Sequence, residues 1–146
     1  MRENSSEITK YIHIARENHK KGNIYQANEI YKKLINQKIY TYELLISYGL
    51  FCKEINNLKI AKNLFILSIK KYPSKINSYI LLAEILRKEN KVDDALKTLH
   101  AAKKIEKSNP DIDYNLSISY KTIKSFREAI LSLSLIHISE PTRHSA

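Results

Sequence analysis

The chain has 146 residues, of which 43% are hydrophobic, and it contains only two glycines and three prolines. So few turn-forming residues exclude a β-sandwich or barrel and favour an all-α domain. No run approaches the roughly 18 apolar residues that span a bilayer, and no apolar stretch follows the charged residues near Met1. We therefore expect a cytoplasmic protein that does not enter a membrane.

The formal net charge of +10 comes mainly from lysine, which far outnumbers arginine. Lysine, isoleucine, asparagine and tyrosine dominate the chain, and their codons consist mostly of A and T. A low-GC bacterial genome would therefore produce this charge without selection for a polyanionic partner. The alternative is a basic face that binds nucleic acid, with an affinity that falls steeply as salt rises.

Apolar periodicity predicts a series of helices joined by short turns. The first helix starts after Ser5 or Ser6, either of which could cap it, and ends near Lys20. Another helix opens at Pro110, because proline suits the first position of a helix. The helices between these two are predicted at 24–36, 42–54, 58–71, 75–88 and 92–107.

Side chains that can cap a helix stand before several of these segments. Asn23 and Gln26 have the spacing of a capping box, in which each side chain satisfies a free backbone amide. Asn57 and Ser125 occupy the same position in later copies of the pattern, so Ser125 predicts a turn and a new helix after the segment that Pro110 opens. Asn109 is placed to cap that preceding segment.

Small residues recur along the chain at a constant interval of 34 residues. The first set is Ala27, Ala61, Ala95 and Ala129, and the second is Ala15, Gly49, Ala83 and Ser117. Small side chains let two backbones approach closely. A period near 34 with two small positions therefore predicts a stack of antiparallel helix pairs.

The copy at 42–75 carries the fullest motif, with Leu45, Gly49, Ala61, Phe65 and Pro73 at the positions that define it. This pattern, which covers roughly 8–132, resembles the tetratricopeptide repeat family. The resemblance implies an all-α, right-handed α-solenoid of about four repeats, the last incomplete. After a lead-in at 1–7, the repeats are expected at 8–41, 42–75, 76–109 and 110–132.

The segment Leu133–Arg143 reads LSLIHISEPTR and resembles the conceptual translation of a transposase adaptor used in preparing sequencing libraries. We therefore expect 133–146 to be an artefactual tail on a truncated gene fragment, as metagenomic sequencing yields. The alternative is a genuine apolar helix that Pro141 terminates. Because no polar helix would then cover Phe126 and Ile130, this end of the solenoid is expected to self-associate.

In this family the first helix of each repeat lines a concave groove, and the resemblance implies a groove here with an apolar floor and a basic edge. One cationic column recurs every 34 residues: His19, Lys53, Arg87 and Lys121. Its charges would bind an acidic partner or complement the negative ends of the helix dipoles. The full set of groove positions is Ile12, His13, Arg16, His19, Lys20, Ile46, Ser47, Leu50, Lys53, Ile80, Leu81, Glu84, Arg87, Lys88, Tyr114, Asn115, Ile118 and Lys121.

The resemblance implies a protein-interaction scaffold whose partner is a peptide or protein with acidic residues and apolar anchors. One alternative is the N-terminal recognition module of a longer enzyme of the glycosyltransferase or sulfotransferase type. A second alternative is a basic solenoid that binds nucleic acid. The clamp with which chaperone-binding members hold a terminal carboxylate is missing, since the matching positions are Ile12, Arg16, Ser47, Asn77 and Leu81.

No residue pattern indicates catalysis, a cofactor or a metal. Two glycines cannot form a phosphate-binding loop. His13 and His19 lie six residues apart, on different faces of a helix, so they are not expected to share a metal ion. Cys52 stands at a core-facing position and is expected to be a small buried hydrophobe.

Overall fold

A computed structural model describes residues 4–139, with side chains as far as residue 135. The described residues form only helices and turns, which confirms the predicted all-α class. The expectations about Pro141 and the rest of 140–146 lie outside the described residues. The helices are α1 Ser5–Lys20, α2 Ile24–Asn36, α3 Tyr42–Glu54, α4 Leu58–Lys71, α5 Ile76–Lys88, α6 Val92–Ile105 and α7 Pro110–Ser139.

The limits of α2, α3 and α4 are those predicted from the sequence. Helix α5 begins one residue later than expected, because Lys75 is extended at φ −88° and ψ 104° and serves as the N-cap. Helix α6 ends at Ile105 rather than 107, because Glu106 is extended at φ −123° and ψ 102°. These differences move the ends of the helices and leave their order unchanged.

Consecutive helices form antiparallel pairs that stack on one another. Helices α1 and α2, α3 and α4, and α5 and α6 pack as hairpins, while α4 against α5 and α6 against α7 join one pair to the next. Ala27, Ala61 and Ala95 have no exposed surface, as expected for residues held between close helices. The core therefore runs through the stack as one continuous layer.

The closest backbone approach within a hairpin lies between α3 and α4. Gly49 has no Cβ, and an ideal Cβ built there would lie 2.4 Å from Cε1 of Phe65. The Phe65 side chain is fully buried and packs directly over this glycine. The small column on one helix therefore receives the bulky column of its partner, as the repeat interval predicts.

Two predicted caps differ from the structure. The side chain of Asn4, not Ser5 or Ser6, caps α1 by accepting a hydrogen bond from the backbone N–H of Ser6. Asn23 makes no side-chain cap, so the predicted capping box with Gln26 is wrong; its amide instead donates to Asn18 at 3.3 Å.

The other caps follow the sequence. Asn57 accepts from the N–H of Ile60, and Asn109 accepts from the N–H of Asp111 at 2.9 Å. Pro110 is the first residue of α7, as predicted. Asparagine at a helix start supplies the acceptor that the first free amides need.

Helix α7 runs without a break through Ser125, so the predicted turn at this point is wrong. In the first three hairpins the turn contains a residue with positive φ: Gly22 at 82°, Asn56 at 63° and Asn90 at 61°. Glycine and asparagine tolerate this conformation better than other residues. The next member of this series is Lys124, which remains helical, and the chain continues straight. Ser117 and Ala129 are consequently exposed, unlike their counterparts in the earlier hairpins.

A buried polar contact joins the second and third hairpins. The hydroxyls of Ser68 and Ser78 lie 2.6 Å apart, and neither side chain has any exposed surface. The equivalent residues in the first repeat are Leu34 and Leu44, which are also buried. A pair of hydrogen-bonded serines thus replaces an apolar contact between adjacent repeats.

We expect Ser68→Ala to lower the free energy of unfolding by about 1.5 kcal/mol, because it leaves the Ser78 hydroxyl buried without a partner. The double variant Ser68→Ala/Ser78→Ala should lose less than the single one, since no polar group then remains unpaired. Urea denaturation followed by circular dichroism measures both values. A double variant that loses the sum of the two single changes would contradict this interpretation.

Candidate functional site

The first helices of the repeats, α1, α3, α5 and α7, form a row along one side of the stack. Helix α1 contacts α3, and α5 contacts α7. Between α3 and α5, the ammonium group of Lys53 forms an ion pair with Glu84. This row carries the predicted groove positions, so the sequence-predicted residues lie on one surface.

The cationic column does more than the sequence indicated. His19 Nε2 lies 3.0 Å from a carboxylate oxygen of Glu54, and Lys53 pairs with Glu84. Arg87 donates to the Asn115 side chain at 2.9 Å and to the Ser119 hydroxyl at 3.3 Å. Each of these cations thus reaches forward to the next first helix and fastens neighbouring repeats together.

Arg16 makes a similar contact one helical turn earlier. Its guanidinium donates to the Ser47 hydroxyl and lies 3.6 Å from a carboxylate oxygen of Glu43. Arg16 to Ser47 and Lys53 to Glu84 are both separations of 31 residues. Sequence reasoning missed these acceptors, although this spacing, three residues short of the repeat, was the signal that could have identified them.

Three of the predicted groove residues are buried. Ile12 has no exposed surface and belongs to the core, so its assignment to the groove surface is wrong. Its position near the start of α1 turns it inward, whereas Tyr114, its counterpart in α7, is 68% exposed. Ser47 and Asn115 are also buried, and they hold Arg16 and Arg87 from within.

The remaining predicted residues are accessible to differing degrees. Ile46, Leu50, Ile80, Leu81 and Ile118 are half-buried and present apolar surface on the groove floor. His19, Lys53, Glu84 and Arg87 are half-buried within the ionic contacts described above, while His13, Arg16, Lys20, Lys88, Tyr114 and Lys121 are exposed.

A cleft of about 350 Å³ opens between α1 and α3 on this surface. It is lined by the predicted residues Arg16, His19, Lys20, Ser47 and Leu50, together with Tyr31, Phe51 and Glu54. The cleft therefore combines cationic groups at its rim with apolar and aromatic surface inside. Its aromatic members were not predicted, because they belong to core-facing columns and become accessible only where two helices part.

Aromatic packing shapes the inner wall of the cleft. The His19 ring meets Phe51 edge-on with centroids 5.0 Å apart, and Tyr31 stacks on Tyr48 at the same separation. Burial raises the pKa of Tyr31 to about 12, so its hydroxyl stays protonated at neutral pH. The wall is uncharged, and the ionic character of the cleft comes from Arg16, His19, Lys20 and Glu54.

Two further searches concern other classes of site. Within residues 4–139 no helix has the length and apolar character needed to cross a bilayer. In the same part of the chain, no three histidine, cysteine, aspartate or glutamate residues are grouped closely enough to hold a metal ion. Cys52 is buried, and burial raises the pKa of its thiol to about 12, as expected for a structural cysteine.

No family model and no curated protein matches this sequence. Solved structures do match the fold. The first TPR of Spaghetti (RPAP3), bound to the HSP90 peptide SRMEEVD, has a TM-score of 0.72 at 15% identity over 83% of this chain and 96% of that one. MamA from MSR-1 has a TM-score of 0.69 at 16% identity, with 87% of this chain and 74% of that one covered.

A third similar structure is the Thermobaculum terrenum O-GlcNAc transferase, with a TM-score of 0.67 at 17% identity. The match covers 82% of this chain but only 23% of the transferase. Paired helices, a small residue every 34 positions and these similarities agree on one architecture. The chain has the tetratricopeptide-repeat fold, a right-handed α-solenoid of antiparallel helix pairs.

Proposed function

We propose that this protein is an interaction scaffold that binds an acidic peptide with apolar anchors along the row of first helices. The observation that carries the proposal is the cleft between α1 and α3, which places Leu50 and Phe51 beneath the cations Arg16 and Lys20. An aliphatic side chain of the guest would enter this cleft, because apolar surface there is only half covered. Neighbouring carboxylates would then meet the rim.

Charge along the groove favours an acidic guest. Lys88 and Lys121 are exposed, and among the described residues no carboxylate lies within salt-bridge distance of either side chain. Lys53 and Arg87 lie between them but already have partners on the neighbouring helices. The guest's carboxylates are therefore expected at Arg16, Lys20, Lys88 and Lys121 rather than along the whole column.

The similar structures add support of a general kind. The RPAP3 domain is bound to an HSP90 peptide, whose sequence SRMEEVD combines acidic and apolar residues. This chain lacks the family's clamp for a terminal carboxylate, with Ile12 buried and Ser47 and Arg16 engaged with each other. We therefore expect an internal acidic and apolar segment to bind here, rather than a chaperone tail held by its terminus.

A short fluorescein-labelled peptide in which leucine alternates with glutamate is a suitable probe for fluorescence anisotropy. Leu50→Asp should weaken its binding at least tenfold, because it removes an apolar contact and adds a charge of the same sign as the guest. Tyr25→Asp is the matched control, since Tyr25 is 71% exposed on α2, outside the groove. The control should bind as the unchanged protein does.

Two results would contradict the proposal. One is equal affinity of the Leu50→Asp and unchanged proteins while circular dichroism shows both folded. The other is tighter binding of poly-U RNA than of the peptide, with the RNA affinity collapsing as salt rises, since that would favour the nucleic-acid alternative.

The match to a short part of O-GlcNAc transferase supports a second candidate, a recognition module joined to a catalytic domain. In that case the groove would bind the protein substrate of the enzyme. Sequencing the intact gene tests this candidate, because it predicts a transferase domain in the same reading frame. A gene without such a domain would exclude it and leave the scaffold proposal unaffected.

A further inference from the structure

Helix α7 exposes, in both of its halves, the positions that earlier hairpins bury. In the second repeat Gly49 and Cys52 of α3 face Phe65 of α4, and all three are buried. Two repeat lengths later the counterparts are Ser117, Tyr120 and Leu133, which are all exposed. The first half of α7 is therefore a first helix without its partner, and the second half carries the pattern of a second helix without its own.

The two halves cannot pair within one straight helix. Ser117 and Leu133 are sixteen residues apart, which is about 24 Å along a helix at 1.5 Å per residue. Two α7 helices lying antiparallel and crossing near Ser125 would satisfy both halves at once. Each Ser117 would then face the Leu133 of the other chain, as Gly49 faces Phe65 within one chain.

We infer that this chain forms a two-fold symmetric dimer in which the α7 helices exchange their second halves. A symmetric antiparallel pair is self-complementary, so the same contact forms twice and the assembly closes. The contact continues the interface that the first half of α7 already makes with α5 and α6. Each exchanged segment occupies the place that a second helix takes in the earlier repeats.

The apolar surface of α7 approaches what such a dimer requires. Phe126 and Ile130, which precede the adaptor-like segment, are 68% and 50% exposed. Side chains exposed to this extent offer on the order of 100 Å² each, hence roughly 600 Å² per chain from the set given next. A standard interface buries about 800 Å² per partner. The set is Tyr120, Phe126, Ile130, Leu131, Leu133 and Leu135.

Cysteine cross-linking distinguishes exchange from non-specific association. We would mix a Ser117→Cys chain with a Leu133→Cys chain and oxidise the mixture under mild conditions. The exchanged dimer predicts a disulfide-linked heterodimer in the mixture and little product from either chain alone, because like positions would lie about 24 Å apart. Cys52 is buried and common to all samples, so the unchanged chain gives the background.

Equal cross-linking of the single-variant chains would overturn the inference, as would no cross-linking in the mixture. Light scattering on the unchanged chain provides an independent measurement that needs no substitution. It should give twice the chain mass of 17.0 kDa, and a monomer at every concentration would overturn the inference. Leu133→Asp should reduce the dimer to a monomer, whereas Leu50→Asp, in the groove, should leave it intact.

Discussion

Replacing Phe65 with alanine is expected to lower the free energy of unfolding by about 3–5 kcal/mol. The side chain is fully buried between α3 and α4 and packs over Gly49, where no Cβ can move in to fill the space. The loss combines the transfer of a buried ring to water with the cavity that remains. Because a solenoid is held together by contacts between neighbours, damage in the second repeat also weakens its junctions with the first and third.

Urea denaturation followed by circular dichroism measures this effect. Ile66→Ala is a matched control on the same helix, since its side chain is 47% exposed and should lose well under half as much stability. Equal losses in the two variants would mean that Phe65 does not occupy a close-packed site between its helices.

The second large effect is expected at Gly49. Glycine to alanine inside a helix normally stabilises by about 1 kcal/mol. At this position the new Cβ would lie 2.4 Å from the Phe65 ring, and we expect overpacking to cost about 3 kcal/mol. The net expectation is a loss of about 2 kcal/mol. The usual sign of the substitution is therefore reversed.

A second substitution tests whether the Phe65 ring is the cause. In a Phe65→Leu background, Gly49→Ala recreates the pair Ala83 and Leu99, which packs in the third repeat with both residues buried. The alanine should then stabilise the protein, because the shorter side chain leaves room for a methyl group. Additive effects of the two substitutions, measured by the same urea titrations, would refute the predicted pairing of small and bulky columns.

The sequence predicted the helices well because their signals are local. Asn57, Asn109 and Pro110 act within one helical turn, and the structure uses each as expected. The small columns were informative for a related reason: close helix packing limits side-chain size, so the interval of 34 residues survives where other positions vary. Ala27, Ala61 and Ala95 are accordingly all buried.

Features that depend on a single turn or on distant partners were harder to predict. The repeat interval predicted a turn near Ser125, but Lys124 replaces the glycine or asparagine of the earlier turns and α7 continues. The cationic column was visible in the sequence, whereas the partners of Lys53 and Arg87 lie on the next helix and depend on how adjacent repeats stack. Ile12 has the spacing of a groove residue yet is buried, because spacing alone does not fix which side of a first helix is covered.

The groove proposal is tested most directly by mapping backbone amide shifts of the isotope-labelled protein while the leucine and glutamate peptide is added. The account predicts shifts centred on Leu50 and Phe51 of α3 and on Arg16 of α1, weakening toward Tyr25 on the opposite face. Shifts centred on the outer faces of α2, α4 and α6, with the α1 and α3 cleft unchanged, would contradict it.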